Sequence, residues 1–232
     1  MILAIDSSIG STVAVVDPAT DAVLADCSSD VPRGHAEVIG TLIERALDDA
    51  AVSPADITHV AAGMGPGPFT GLRIGIAAAR AFAVGRGIPV VPVVSHDAAA
   101  LEILTRDPDA TFVIVTDARR RENAVSAYAG LDSGIPARIA GPELLPNTDD
   151  TEAYLAEHLS IARGPDGSGE IVRRSPTSQA LGEQPHTTHI SAGAIGILAA
   201  RLLRRGAVPD LEPLYLRAPD AKVPGAVKRV ST

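Results

Sequence analysis

The amino-acid sequence predicts an α/β protein of two units, the second reduced, and three observations carry that expectation. Residues 1–94 open with three strands and then alternate helix and strand. Residues 111–129 repeat the opening layout: an apolar run ending in an aspartate (Asp117, as Asp6 before it), a turn, and a second apolar run. Residues 163–186, rich in Gly, Pro, Ser and charge, read as a long irregular loop where a complete second copy would need helices.

In order, residues 1–5 are continuously apolar up to Asp6, and residues 12–16 are apolar after the polar turn Ser7-Ser8-Ile9-Gly10-Ser11. That is a β-hairpin with a carboxylate at the strand end. A third strand at 22–27 follows the Asp17-Pro18 turn, and connections this short imply antiparallel pairing. From His35, Val38, Ile39, Leu42, Ile43, Ala46 and Leu47 recur at three- and four-residue intervals with Glu37, Glu44, Arg45 and Asp48 between them, the pattern of an amphipathic helix. Strands at 58–63 and 89–94 flank a helix at 72–84, and crossover helices imply parallel pairing.

Residues 63–75 hold five Gly and two Pro between that strand and that helix. Pro66 and Pro68 fix φ while the glycines permit close backbone approach, so the loop has one intended shape; Thr70 reads as the N-cap. Only Arg73 and Arg80 are charged on the helix. Ile74, Ala77, Ala81 and Val84 form one stripe and Gly75, Ala79 and Phe82 another. A helix apolar nearly all round is covered on more than one side, either by its own domain or by another molecule. The loop has neither the Lys-Ser/Thr pair of a P-loop nor a dinucleotide-site glycine rhythm.

Farther on, a short helix is expected at 150–159 and an apolar helix at 191–206, the latter packing back on the first unit. The first unit is then 1–105 with that helix, the second 106–190, and 218–232 a disordered tail.

Composition narrows the function. The chain has 232 residues, 46% of them hydrophobic, and a formal charge of −8. Its apolar stretches break well before eighteen residues and its N-terminus lacks a basic leader, so a soluble cytoplasmic protein with no membrane partner is expected. The single cysteine, Cys27, excludes an internal disulfide and a thiolate zinc site. The negative charge argues against a broad nucleic-acid footprint, and the tight run Arg119-Arg120-Arg121 reads as a solvated turn. His186 and His189 have ligand spacing but no third ligand nearby.

Ile5-Asp6-Ser7-Ser8, the segment Gly65-Pro66-Gly67-Pro68-Phe69-Thr70-Gly71-Leu72-Arg73-Ile74-Gly75, Asp117-Ala118-Arg119-Arg120 and Glu212-Pro213-Leu214-Tyr215-Leu216-Arg217 together resemble the TsaB family, also called YeaZ. The resemblance implies two tandem ribonuclease-H-like units of the actin/Hsp70 (ASKHA) type. It further implies a role in making N6-threonylcarbamoyladenosine at position 37 of tRNAs that read codons starting with A. In that family the protein is a non-catalytic scaffold that binds the catalytic paralogue TsaD and acts with the ATPase TsaE. It meets tRNA through the complex and is expected as a homodimer when TsaD is missing. No cofactor or metal is expected in the chain itself, with ATP or ADP left to the complex interface.

The docking face is expected on His35, Val38, Ile39 and Leu42 of the first helix and on Arg73, Gly75, Ile76, Ala79, Arg80 and Phe82 of the second. The residues left to a vestigial nucleotide site are Asp6, Ser7, Ser8, Gly65, Gly67 and Asp117. Catalysis in the TsaD relative uses a His-x-x-x-His metal pair on the first helix; here His35 is followed by Ile39, and one ligand cannot make that site. Asp6 is then either a carboxylate that positions metal-bound water or a strand-end residue bonding its own turn, the second being favoured. The chain departs from the family pattern at Pro68, where Ser is common, and at Asn123-Ala124, where a Val-Tyr pair is common. The alternatives are an ATP- or metal-dependent transferase or ATPase of the same fold, or a peptidase of the glycoprotease-like superfamily. Neither has a legible metal pair or a Ser-His-Asp set.

Overall fold

The computed structural model describes residues 1–29, 34–162 and 190–217. The expectations for the 163–186 loop, for His186 and His189 and for the 218–232 tail lie outside the described residues.

The apolar run at the N-terminus becomes β1 (Ile2–Asp6), the centre of a five-stranded sheet. Hairpin partner β2 (Ser11–Asp17) and then β3 (Ala22–Ser29) extend one side antiparallel. On the other side β4 (His59–Gly63) and β5 (Val90–Val93) add in parallel, giving the order β3-β2-β1-β4-β5. β1 is apolar throughout because both of its faces are covered. Leu3 and Ile5 point to a layer formed by α1 (His35–Asp49) and α2 (Phe69–Arg86). Ile2 and Ala4 point to the opposite layer, α3 (Ser95–Leu104) and α5 (Ala192–Arg205).

The second sheet is antiparallel throughout: β6 (Thr111–Asp117), β7 (Glu122–Asp132) and β8 (Ile135–Pro146) in that order. One face packs on α4 (Thr151–Ala162) through Val115, Val125 and Ala127 against Tyr154 and Leu155. The other offers Ile114 and Tyr128 to the core around α3, so α3 joins the two sheets. α5 runs across β1, β2 and β3. Its N-cap Ser191 accepts from Ala194 N–H at 3.1 Å and donates to Asp26 at 2.9 Å, and its last turns hold Asp21 through Arg201 and Arg204.

Two elements were not anticipated. α3 follows β5 directly, with Val94 at the N-cap position and no side-chain cap bond to mark its start. β8 carries Pro136, Pro142 and Gly141, which argue against a strand except at an edge or bulge, and β8 is an edge strand with register shifts against β7. α2 also begins earlier than expected: Pro68 takes the N-cap position with no side-chain cap bond, and Thr70 lies inside the first turn.

Candidate functional site

The turn after β1 is sealed beneath the Gly-rich loop. Asp6 is 1% exposed. Its Oδ1 accepts from Ser8 N–H at 2.8 Å and Ser8 Oγ at 2.6 Å, and its Oδ2 from Ser95 Oγ at 2.5 Å. Burial raises its pKa above the usual carboxylate range, against the pull of those donors. Ser7 Oγ donates to Gly71 C=O at 2.7 Å and accepts from Gly75 N–H at 2.9 Å, so one hydroxyl bridges two α2 backbone groups a helical turn apart. No side chain larger than hydrogen fits at these junctions. A Cβ at Gly63 would overlap the Asp6 carboxylate, one at Gly67 would lie 2.7 Å from Ser8 Cα, and one at Gly75 would meet Ser7 Oγ. The expected nucleotide set therefore divides. Asp6, Ser7 and Ser8 are consumed in packing and bonding the loop, Gly65 packs against Leu72, and Gly67 and Asp117 alone reach a cavity.

The expected docking set divides as well. Ile39, Leu42, Gly75, Ile76 and Ala79 are buried, and all but Gly75 belong to the core beneath α1 and α2. That stripe faces inward because Ser7 meets α2 at Gly71 and Gly75 and fixes its rotation. His35 is half-buried, its Nδ1 2.7 Å from Ser11 Oγ, and Val38 and Phe82 are partly buried on the same core. Arg73 and Arg80 stay outside with Ala77, Ala81 and Val84, the last 82% exposed. Neighbouring α1 turns out Ala36, Gly40 and Thr41 among charges. The outward surface thus sets small residues among exposed charges, and the small residues admit close approach of another helix.

The four segments that resemble the TsaB family converge. Leu214 N–H donates to Met64 C=O at 2.8 Å, laying residues 209–217 along the Gly-rich loop. Tyr215 then packs on Phe69 with centroids 4.9 Å apart, and the Arg73 guanidinium covers Phe69 at 3.8 Å while its Nε donates to Tyr215 OH at 3.2 Å. Arg217 closes the strap on Glu122. Between strap, loop and second sheet lies a cavity of about 490 Å³, lined by residues 66–69, 116–119 and 215–217 with Ala124 and Leu144.

A buried polar network that the sequence reading missed ties α3 to the second sheet. His96 is fully buried, with Nδ1 2.9 Å from Ser126 Oγ and Nε2 3.0 Å from Thr116 Oγ1. Asp97 accepts from Tyr128 OH at 2.7 Å and pairs with Arg138 at 3.2 Å. Burial, helped by Arg138, lowers the His96 pKa to about 3, so the folded ring is neutral. Below the unfolded pKa of about 6.5 the unfolded chain takes up a proton that the folded chain does not. This contribution to stability is full above that pH and is lost as pH falls toward the folded value. Asp6 and Asp97, both raised by burial, act in the opposite sense at lower pH. Relative to His96→Asn, the protein should therefore lose about 2 kcal/mol between pH 7 and pH 5. Urea unfolding at the two pH values measures it, and parallel behaviour of the two proteins contradicts it.

Among the described residues there is no group of three His, Cys, Asp or Glu able to hold a metal, and no helix is long and apolar enough to cross a membrane. The mixed sheet with an antiparallel second sheet is a YeaZ-like fold. YeaZ of Pseudomonas aeruginosa superposes with a TM-score of 0.67 at 23% identity, covering 93% of this chain and 99% of that one. A second Pseudomonas aeruginosa structure, described as similar to peptidase YeaZ, gives 0.67 at 22% identity over the same shares. The family described as TsaD, tRNA N6-adenosine threonylcarbamoyltransferase, matches residues 29–143. Mycobacterium tuberculosis protein Rv3421c is 35% identical over 225 residues, covering 91% of this chain and 94% of its own. A Streptococcus pneumoniae tRNA N6-adenosine threonylcarbamoyltransferase is 48% identical over 61 residues, 26% of this chain and 18% of its own. The chain belongs to the family of the mycobacterial protein, a TsaD-related family with the YeaZ fold.

Proposed function

We propose that the chain is a non-catalytic scaffold subunit that binds and activates a TsaD-class tRNA N6-adenosine threonylcarbamoyltransferase in the making of N6-threonylcarbamoyladenosine, with TsaE as the ATPase of the complex. The observation that carries the reading is the outward stripe of α2, where Ala77, Ala81 and Val84 are exposed beside Arg73 and Arg80. The same face, pairing with itself, accounts for a homodimer when TsaD is absent, since a two-fold contact hides one patch on both copies. The tandem ribonuclease-H-like description fits the hairpin of β6 and β7, which sets Asp117 at the end of β6 as Asp6 stands at the end of β1. Cytoplasmic residence follows from the same role, and the chain holds no cofactor of its own, ATP or ADP being left to the complex.

The competing readings are weaker. An independent ATPase needs a carboxylate free to position metal-bound water, and both oxygens of Asp6 are taken by Ser8 and Ser95. A metal pair on α1 fails because Ile39 lies in the core and His35 is held by Ser11. A peptidase needs an accessible nucleophile beside a base. The serines next to His96 and His35, Ser126 and Ser11, are 0% and 1% exposed. Reconstitution tests the proposal: TsaD, TsaE and tRNA with threonylcarbamoyl-adenylate should form the modified nucleoside only when the chain is added, and the chain without TsaD should form none. Modification at full rate without the chain, or turnover by the chain alone, contradicts it.

A further inference from the structure

We propose that the cavity beside the strap receives an unstacked nucleotide of single-stranded RNA. That the RNA is tRNA rests on the function proposed above; the site itself rests on its own geometry. At about 490 Å³ the cavity is of small-ligand size, and its walls are mostly apolar, from Pro66, Pro68, Ala118, Leu144 and Leu216. Two aromatic rings stand at its edge, Phe69 38% and Tyr215 37% exposed, in a chain with only six Phe and Tyr in all. Half-exposed rings beside guanidinium groups are the platform on which unpaired bases stack.

The charge agrees. Net charge is −8, yet the turn joining β6 to β7 at the cavity edge is Arg119-Arg120-Arg121, with Arg217 lining the cavity and Arg73 over Phe69. Within this group Arg119 pairs with Asp117 and Arg217 with Glu122. The turn is built at a conformational cost: φ is 65°, 59° and 62° at the three arginines, a region usually left to Gly or Asn. Phosphates on either side of an inserted base would meet this turn. The footprint is one or two phosphates, consistent with an acidic protein that does not coat RNA.

The test uses the full chain and a fluorescein-labelled RNA heptamer of adenosine, read by anisotropy at several salt concentrations. The protein should bind with a Kd on the order of 10–100 μM at about 50 mM salt. Arg120→Asn with Arg121→Asn keeps the turn, because Asn accepts its backbone conformation. It should weaken binding about fivefold or more and lower the slope of log K against log salt by about one. Tyr215→Leu should weaken binding about fivefold with the slope unchanged, and Arg106→Asn, on the surface after α3, should change neither. Absence of binding at about 200 μM protein, or equal affinity of the double variant, overturns the site. Displacement by AMP as effective as by the heptamer assigns the cavity to free nucleotides and overturns it as well. TsaD takes no part in this experiment, so its failure leaves the proposed partnership standing, and failure of that partnership leaves the RNA site standing.

Discussion

Ala79→Glu should leave the chain unfolded at 25 °C. Ala79 is fully buried in the core shared by α1, α2 and the five-stranded sheet, with Leu3, Ile5 and Leu42 among its cluster. A glutamate there adds volume to a packed site and places a carboxylate among apolar groups with no partner. Overpacking costs about 1–3 kcal/mol and an uncompensated buried charge several more. Together these approach the whole stability of a domain, about 5–15 kcal/mol. Loss of the cooperative thermal transition and of near-ultraviolet dichroism is the expected record. A variant that melts within a few degrees of the natural protein would mean that α2 is rotated and that Ala79 looks outward.

Ala81→Glu and Ala77→Glu, on the opposite side of the same helix, should give the reverse pattern. Both residues are exposed, and alanine to glutamate on a helix surface changes stability by less than about 0.5 kcal/mol. If α2 docks TsaD by this stripe, either glutamate is buried without a partner in the complex. Such a charge costs roughly 2–5 kcal/mol, a loss of affinity of about 30-fold or more. Isothermal titration of each variant with TsaD measures the loss, and a melting curve on the same sample shows the fold intact. Unchanged affinity for both variants would move the docking face off α2.

The contrast between Ala79 and Ala81 also shows where the sequence stops being legible. Strands β1, β2, β4 and β6 and helices α1 and α2 are readable from periodicity, because each has a long apolar pattern with clear punctuation. The rotation of α2 is not, since a helix apolar on every side gives no direction. It is fixed by contacts from residues distant in the chain, the bridge of Ser7 to Gly71 and Gly75 above all. A signal was present in the four-residue spacing of Gly63, Gly67, Gly71 and Gly75, each of which lies against Asp6, Ser7 or Ser8. Small residues at that interval mark the path of a second backbone as readily as a partner helix. The His96 network and the cavity were beyond reach for a related reason. Ser126, Thr116 and Tyr128 meet His96 and Asp97 only after the second sheet docks on α3. The cavity needs three segments, at 66–69, 116–119 and 215–217, that no local pattern connects.

The central claim is that this chain offers its outer α1 and α2 face to TsaD. Sedimentation velocity of the chain with increasing amounts of the TsaD from the same organism tests it most directly. Alone, the chain should sediment as a homodimer at tens of micromolar, an order of magnitude suited to a moderate interface. With equimolar TsaD that boundary should vanish into a single heterodimer, because one face cannot serve both contacts, and Ala81→Glu should abolish both species. Two boundaries that sediment independently at every ratio would contradict the account.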